Sequence, residues 1–115
     1  MGTLIRGEQV RGHLETMLLA LLEEQDAHGF ELVKRLEQQG SGALTLREGT
    51  IYPVLYRLEK SRLVKARWED SASSRRGPRR RIYSLTKKGH KQLAAGRESW
   101  STFVQVVGGI MGAPA

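Results

Sequence analysis

The sequence predicts a mostly α domain carrying one small β-hairpin. Apolar residues recur at helical spacing in three consecutive stretches before about residue 61, the period switches to two between about 63 and 85, and helical spacing returns after Thr86. At 115 residues with 39% hydrophobic content, the chain fits a single domain with a modest core.

The elements follow in order. Leu4 to Gly12 has no clear period and contains Gly7 and Gly12, so residues 1–12 read as an irregular arm. Leu14, Met17, Leu18, Leu21 and Leu22 fall at i, i+3, i+4, i+7 and i+8, which places a core-facing helix at about 13–24. Asp26 to Gly29 form a short break. Phe30, Val33 and Leu36 then resume helical spacing to about Gln39, where Gly40 and Gly42 stop it. A third helix covers roughly 47–61 with Ile51, Leu55 and Leu58 on one side. Its start has two readings. Thr45 and Glu48 fit a capping box that puts Pro53 deep in the helix, whereas Thr50 as N-cap puts Pro53 in the first turn; either way an irregular first turn is expected.

After Ser61, Val64, Ala66 and Trp68 alternate with Lys65, Arg67 and Glu69, as on a half-buried strand at about 63–70. Ser71 to Pro78 is a loop by composition, and Arg79 to Leu85 returns as a strand with Arg81, Tyr83 and Leu85 on one face. Thr86 is the N-cap of a last helix carrying Leu93, Trp100, Phe103, Val104, Val107 and Met111, which is expected to lose definition around Gly108 and Gly109. Three helices, a hairpin and a final helix is the element order of a winged helix, a helix-turn-helix variant whose third helix enters the DNA major groove. The expected organisation is a winged-helix DNA-binding domain over 1–85, its wing at about 63–85, followed by a C-terminal dimerisation helix and tail over 86–115.

Charge agrees with this layout. The net charge is +7, but residues 1–56 carry five Lys/Arg against eight Asp/Glu, whereas residues 57–91 carry thirteen against three. The block starts on the back half of helix three and peaks at Arg75, Arg76, Arg79, Arg80 and Arg81 around the wing tip, the footprint expected of a protein that neutralises phosphates. A solvated basic face is the alternative for such a run taken alone. No stretch approaches the roughly 20 apolar residues that cross a bilayer, and no apolar segment follows the early arginine. The absence of cysteine excludes disulfides and thiolate metal sites and permits a reducing compartment, so a cytoplasmic protein without membrane contact is expected.

The chain resembles the PadR family of bacterial transcriptional regulators from about Arg11 to Leu93. Gly12-His13-Leu14 leading into Met17-Leu18-Leu19-Ala20-Leu21-Leu22 is similar to the family's first helix, and His28-Gly29-Phe30-Glu31-Leu32 to its HGYEI-type second. Glu48-Gly49-Thr50-Ile51-Tyr52-Pro53-Val54-Leu55-Tyr56-Arg57-Leu58-Glu59 is similar to the recognition-helix signature. Arg79-Arg80-Arg81-Ile82-Tyr83-Ser84-Leu85-Thr86 with Gly89 is similar to the wing and its exit. Phe30 stands for the more usual Tyr, Ile82 where an aromatic is common, and Ser61-Arg62-Leu63 lacks the Gly often found before the strand. The ending implies the short-tailed subgroup, in which one long C-terminal helix makes the dimer.

Tyr52, Tyr56, Arg57 and Lys60 lie off the apolar stripe of helix three and are candidate DNA contacts; a tyrosine ring laid over the core edge is the alternative. The resemblance implies Tyr52 as a contact near the helix start, alongside Arg47 and Thr50. Arg47 has two readings, a guanine edge or a phosphate. Arg75, Arg76, Arg79 and Arg80 are expected to supply about two or three phosphate contacts per subunit. Arg81 shares a face with Tyr83 and Leu85 and is set apart from them, and Lys65 and Arg67 read as the solvated side of the first strand.

Leu93, Trp100, Phe103, Val104, Val107 and Met111 form a stripe expected to pack against a second copy about a two-fold axis, the alternative being helix one of the same chain. Trp100 and Phe103 are candidate walls of a shallow site between subunits for a flat aromatic effector, with plain packing as the other role. His13, His28 and His90 are far apart and in no metal-ligand spacing, and Gly40-Ser41-Gly42 follows no strand, so neither enzyme, metal nor cofactor is expected. The expected function is transcriptional repression by a homodimer bound to double-stranded DNA at an inverted repeat. The rivals are a winged-helix module that binds an acidic protein partner and a structured-RNA binder.

Overall fold

The computed structural model describes residues 13–70 and 77–112. Six elements follow one another among them: α1 (Leu14–Glu24), α2 (Gly29–Gln39), α3 (Glu48–Lys60), β1 (Val64–Trp68), β2 (Arg81–Leu85) and α4 (Lys87–Met111). The 1–12 arm, together with Arg75 and Arg76, lies outside the described residues.

The three short helices close on one core. Leu18 and Leu19 of α1, Leu32 of α2, Ile51, Leu55 and Leu58 of α3, Val64 of β1 and Leu93 of α4 are its fully buried side chains. Two of these depart from the periodic pattern. Leu19 widens the α1 stripe, because α1 is covered by α3, the hairpin and α4 rather than by one neighbour. On α2, Leu32 takes the core place expected of Phe30, which is 46% exposed with the Lys34 ammonium 4.9 Å from its ring centroid.

The helix ends show why the chain turns where it does. His28 caps α2, its Nδ1 accepting from the Glu31 amide at 3.2 Å. At the other end the amides of Ser41 and Gly42 donate back to the carbonyls of Gln38 and Glu37, with Ser41 itself at φ 55°. The same reverse turn ends α3, where Arg62 and Leu63 donate to Glu59 and Leu58 and Arg62 sits at φ 63°. This left-handed position is where the family resemblance leads one to expect glycine.

Helix α3 starts at Glu48 with Arg47 as N-cap, so neither Thr45 nor Thr50 caps it. Pro53 therefore stands inside the helix. The first turn is irregular as expected, the Arg47 carbonyl accepting from both Thr50 and Ile51 amides at 2.9 and 3.2 Å.

The two strands pair antiparallel with Val64 opposite Leu85, Ala66 opposite Tyr83 and Trp68 opposite Arg81. Both are shorter than the spans of 63–70 and 79–85 expected from alternation. Their inner face follows the period-two rule as far as Ala66 and Tyr83; Trp68, expected to be half-buried, is 56% exposed because the hairpin outruns the core. A further rung joins the hairpin to the α1–α2 turn, where Ala27 and Tyr83 exchange backbone hydrogen bonds of 3.1 and 2.8 Å.

Thr86 joins hairpin to α4. Its Oγ1 accepts from the Gly89 amide at 3.0 Å and lies 2.7 and 3.0 Å from the carbonyls of Arg62 and Leu63. Helix α4 then continues through Gly108 and Gly109, where it was expected to fade, for 25 residues, about 37 Å. It crosses α1 at Gly96, where an added Cβ would come within 2.5 Å of Thr16 Oγ1. Leu93 is a correction to the expected dimer stripe: it is 1% exposed in the core of its own chain and is not available to a partner.

Candidate nucleic-acid interface

Burying Ile51, Val54, Leu55 and Leu58 forces the rest of α3 outward. Arg47, Thr50, Arg57 and Lys60 are exposed, as are Tyr52 and Tyr56 at 42% and 66%. Tyr52 is the more anchored of the two tyrosines. Its ring lies over Gly29 at the start of α2, so closely that a Cβ on Gly29 would stand 2.5 Å from Tyr52 Cζ. Burial first, and then the Glu48 carboxylate, push its phenol above the ordinary value, so it remains a protonated donor at neutral pH.

The hairpin neck is organised by one carboxylate. Glu69 Oε1 accepts from Arg80 Nε and Nη2 at 3.1 and 2.7 Å, and its Oε2 accepts from the Arg80 amide at 3.3 Å. Arg79 Nε donates to the Glu69 carbonyl at 2.9 Å. The structure thus brings Arg79 and Arg80 together, folded back on the neck; it does not show them extended from the tip. Arg81 points the other way, its Nη2 donating to Glu59 Oε2 of α3 at 2.8 Å. That ion pair ties the wing to the third helix. Outer-strand Arg67 lies 3.9 Å from Asp26, both well exposed, a geometry worth little in water.

Beyond Gly96, α4 leaves the core. Trp100, Phe103 and Val104 are each about half exposed, Met111 more so, and Val107 is partly covered. Val106 and Ile110, which the sequence stripe omitted, are also exposed. Trp100 and Phe103 stack with centroids 5.8 Å apart and rings 18° from parallel, and His13 meets Trp100 edge-on at 4.8 Å. Between α1 and α4 an apolar cleft of about 380 Å³ is walled by His13, Thr16, Met17, Ala20, Leu44 and Trp100. Most of these walls escape a sequence reading because the cleft exists only once α1, α4 and the α2–α3 loop meet.

Two histidines serve the fold, His28 capping α2 and His13 packing on Trp100, while exposed His90 lies 3.9 Å from Glu23, which pairs with Arg97 at 3.0 Å. Among the described residues no cluster of His, Asp and Glu is arranged to hold a metal ion, and no helix is long and apolar enough to cross a membrane.

Comparison with known proteins matches residues 18–95 to the Transcriptional regulator PadR-like family. The chain is 34% identical over 87 residues to the transcriptional regulator YqjI of Escherichia coli, a match covering 76% of this chain but only 39% of YqjI. A solved transcriptional regulator from Clostridium thermocellum superimposes with a TM-score of 0.81 at 27% identity, covering 90% of this chain and 98% of that one. Bacillus subtilis PadR, solved in complex with operator DNA, shares the fold at 19% identity with a TM-score of 0.63, over 72% of this chain and 45% of that one. The matched span runs from the first helix through the hairpin into the last helix and takes in every core element described above, so the chain belongs to the PadR-like family of transcriptional regulators.

Proposed function

We propose that this regulator binds double-stranded DNA as a homodimer and represses transcription from an inverted-repeat operator. The observation that carries the reading is that an outward-facing, tyrosine-bearing α3 and an arginine-rich hairpin stand on one packed body, the ribbon anchored by the Ala27–Tyr83 backbone rung, with the exposed faces of the two meeting at Arg81 and Glu59. On this reading Arg47, Thr50, Tyr52, Tyr56, Arg57 and Lys60 meet the major groove. Arg75, Arg76, Arg79 and Arg80 supply phosphate contacts, the last two on exchange from Glu69. B. subtilis PadR, whose fold this chain shares, is solved in complex with operator DNA, which supports the reading.

The second copy joins through α4. Trp100, Phe103, Val104, Val107 and Met111 leave an apolar surface that a partner's α4 would cover, with half-sites then about 10 bp apart or a multiple of that. The cleft beside Trp100 lies within one chain, not between subunits, and Phe103 is not among its walls; it has room for a flat aromatic effector, which would release DNA by favouring one dimer geometry. The organisation into a DNA-binding part over 1–85 and a dimerising helix over 86–115, and a cytoplasmic location, belong to this proposal.

Selection of bound duplexes from a random pool, followed by affinity measured over a salt series, tests it. An enriched inverted repeat and a steep salt slope are expected. An acidic protein partner would require neither, and preference for folded RNA over every duplex would overturn the DNA reading.

A further inference from the structure

We propose that Trp68 and Arg81 form a nucleic-acid contact in the notch between the hairpin and α3, the indole lying against the sugar–phosphate backbone of one strand while Arg81 donates to a phosphate. The inference rests on the DNA-binding reading above and adds two residues that alternation had assigned to a buried face or set apart from the contacts.

Trp68 is the last residue of β1 and faces the same side as Val64 and Ala66, but the core ends before it and leaves 56% of it exposed. Its cross-strand neighbour is Arg81, whose guanidinium carbon lies 5.5 Å from the indole centroid. Arg81 is held from the far side by Glu59 of α3 at 2.8 Å. At 100° per residue, Tyr52, Tyr56 and Glu59 fall within a sector of about 60° on α3. The exposed tyrosines therefore lead along one flank of the helix to Glu59, across the ion pair to Arg81, and onto the indole.

A large flat apolar group left uncovered beside cations fits one occupant better than others. Trp68 stands between Arg67 and Glu69 in the chain and opposite Arg81 in the ladder, Glu69 is already occupied by Arg80, and over residues 57–91 the cations outnumber the carboxylates thirteen to three. That excess charge is complementary to a phosphate backbone, and a deoxyribose offers the indole an apolar surface between phosphates. Arg81 is oriented by two partners, so little freedom remains to be lost on contact, and its Nε and Nη1 have no acceptor among the described residues. Glu59 balances the charge of Arg81 in the free protein and thereby limits attraction to DNA.

The test uses the full chain grown with 5-fluorotryptophan. Its two tryptophans, Trp68 and Trp100, give two fluorine resonances, assigned with Trp68→Phe. On titration at low salt with a mixed-sequence duplex of about three helical turns, the Trp68 resonance is expected to shift. Trp68→Ala should weaken the complex roughly fivefold with an unchanged salt slope, because the ring carries no charge. Arg81→Gln should lower the slope by about one, and Glu59→Gln should bind at least as tightly as the parent. A duplex complex in which the Trp68 resonance stays put, or Trp68→Ala binds like the parent, overturns the contact. Equal weakening by Glu59→Gln and Arg81→Gln would make the ion pair a brace only and overturn the phosphate role of Arg81. If the parent forms no salt-dependent complex with any duplex, the DNA-binding reading itself has failed, an outcome separate from the other two.

Discussion

Replacing Gly89 with alanine should destabilise this protein at the joint between its hairpin and its last helix. Gly89 is the third residue of α4, buried where the helix meets the α3–β1 turn, and a Cβ there would overlap the Leu63 carbonyl oxygen and approach Leu85 Cδ1 to 2.7 Å. The carbonyl cannot swing away freely, because it accepts from the Thr86 amide at 3.1 Å and lies 3.0 Å from Thr86 Oγ1. Overpacking of this kind costs about 1–3 kcal/mol, and loosening the Thr86 cap adds up to about 1 kcal/mol. The gain in helix propensity from glycine to alanine returns at most about 1 kcal/mol, leaving a net loss of roughly 2 kcal/mol. Urea unfolding followed by circular dichroism reads this as a lower midpoint at constant slope. Gly49→Ala is the control: it is also helical, but an added Cβ there meets nothing within 4 Å, so propensity alone acts and stability should rise by up to about 1 kcal/mol. If Gly89→Ala proved as stable as Gly49→Ala, the tight joint between hairpin and last helix described here would be wrong.

Arg62→Gly should stabilise the fold by about 0.5–1 kcal/mol, since φ 63° strains any residue with a Cβ; an unchanged or lower melting temperature would count against that strain. Phe103→Glu places a charge on the half-exposed stripe of α4, so sedimentation should show a folded monomer, and a persistent dimer would exclude this face as the interface. Arg47→Ala should relax preference at particular base pairs, whereas Arg79→Ala with Arg80→Ala should weaken all duplexes alike; equal effects would remove that division of labour. The raised phenols of Tyr52 and Tyr83, each shifted first by burial, make the folded state hold its protons more tightly than the unfolded chain does. Their contribution is complete below about pH 10 and lost as pH rises through the folded values, so urea midpoints should fall at alkaline pH. Tyr52→Phe with Tyr83→Phe should flatten that fall.

The sequence pattern reaches the element order because burial on one side of a helix or strand leaves a period that can be counted, and the leucines of α1 and the Ile51, Leu55 and Leu58 row of α3 show it plainly. It fails where coverage is decided by a neighbour distant in the chain. Phe30 carries the right spacing but meets a cation instead of the core, while Leu32 is buried between helices. Trp68 alternates correctly on a strand that extends past what it covers, and Leu93 continues the α4 stripe into its own protein's interior. Pro53 was hard to place for a different reason: the register of α3 is fixed by core packing of Ile51 and Leu55, which overrides the preference of local capping residues. The exposure of Arg47, Thr50, Tyr56, Arg57 and Lys60 was legible because they lie off the apolar stripe of α3, whereas the packing of the Tyr52 ring over Gly29 was not, since it depends on where α2 begins in space. The folding back of Arg79 and Arg80 onto Glu69 was not legible either, since side-chain pairing within a loop neck leaves no periodic trace.

A ribbon of only two strands is marginal by itself in water, yet here one rung borrows backbone from the corner between the first two helices, through Ala27 and Tyr83. That corner and the middle of the ribbon must travel together, so the wing does not hinge on its own toward a duplex. On the DNA-binding proposal, wing and α3 would approach and retreat as a single solid tool, and accommodation to sites of different shape would fall to the bending of DNA and, in a dimer, to the angle between its two copies.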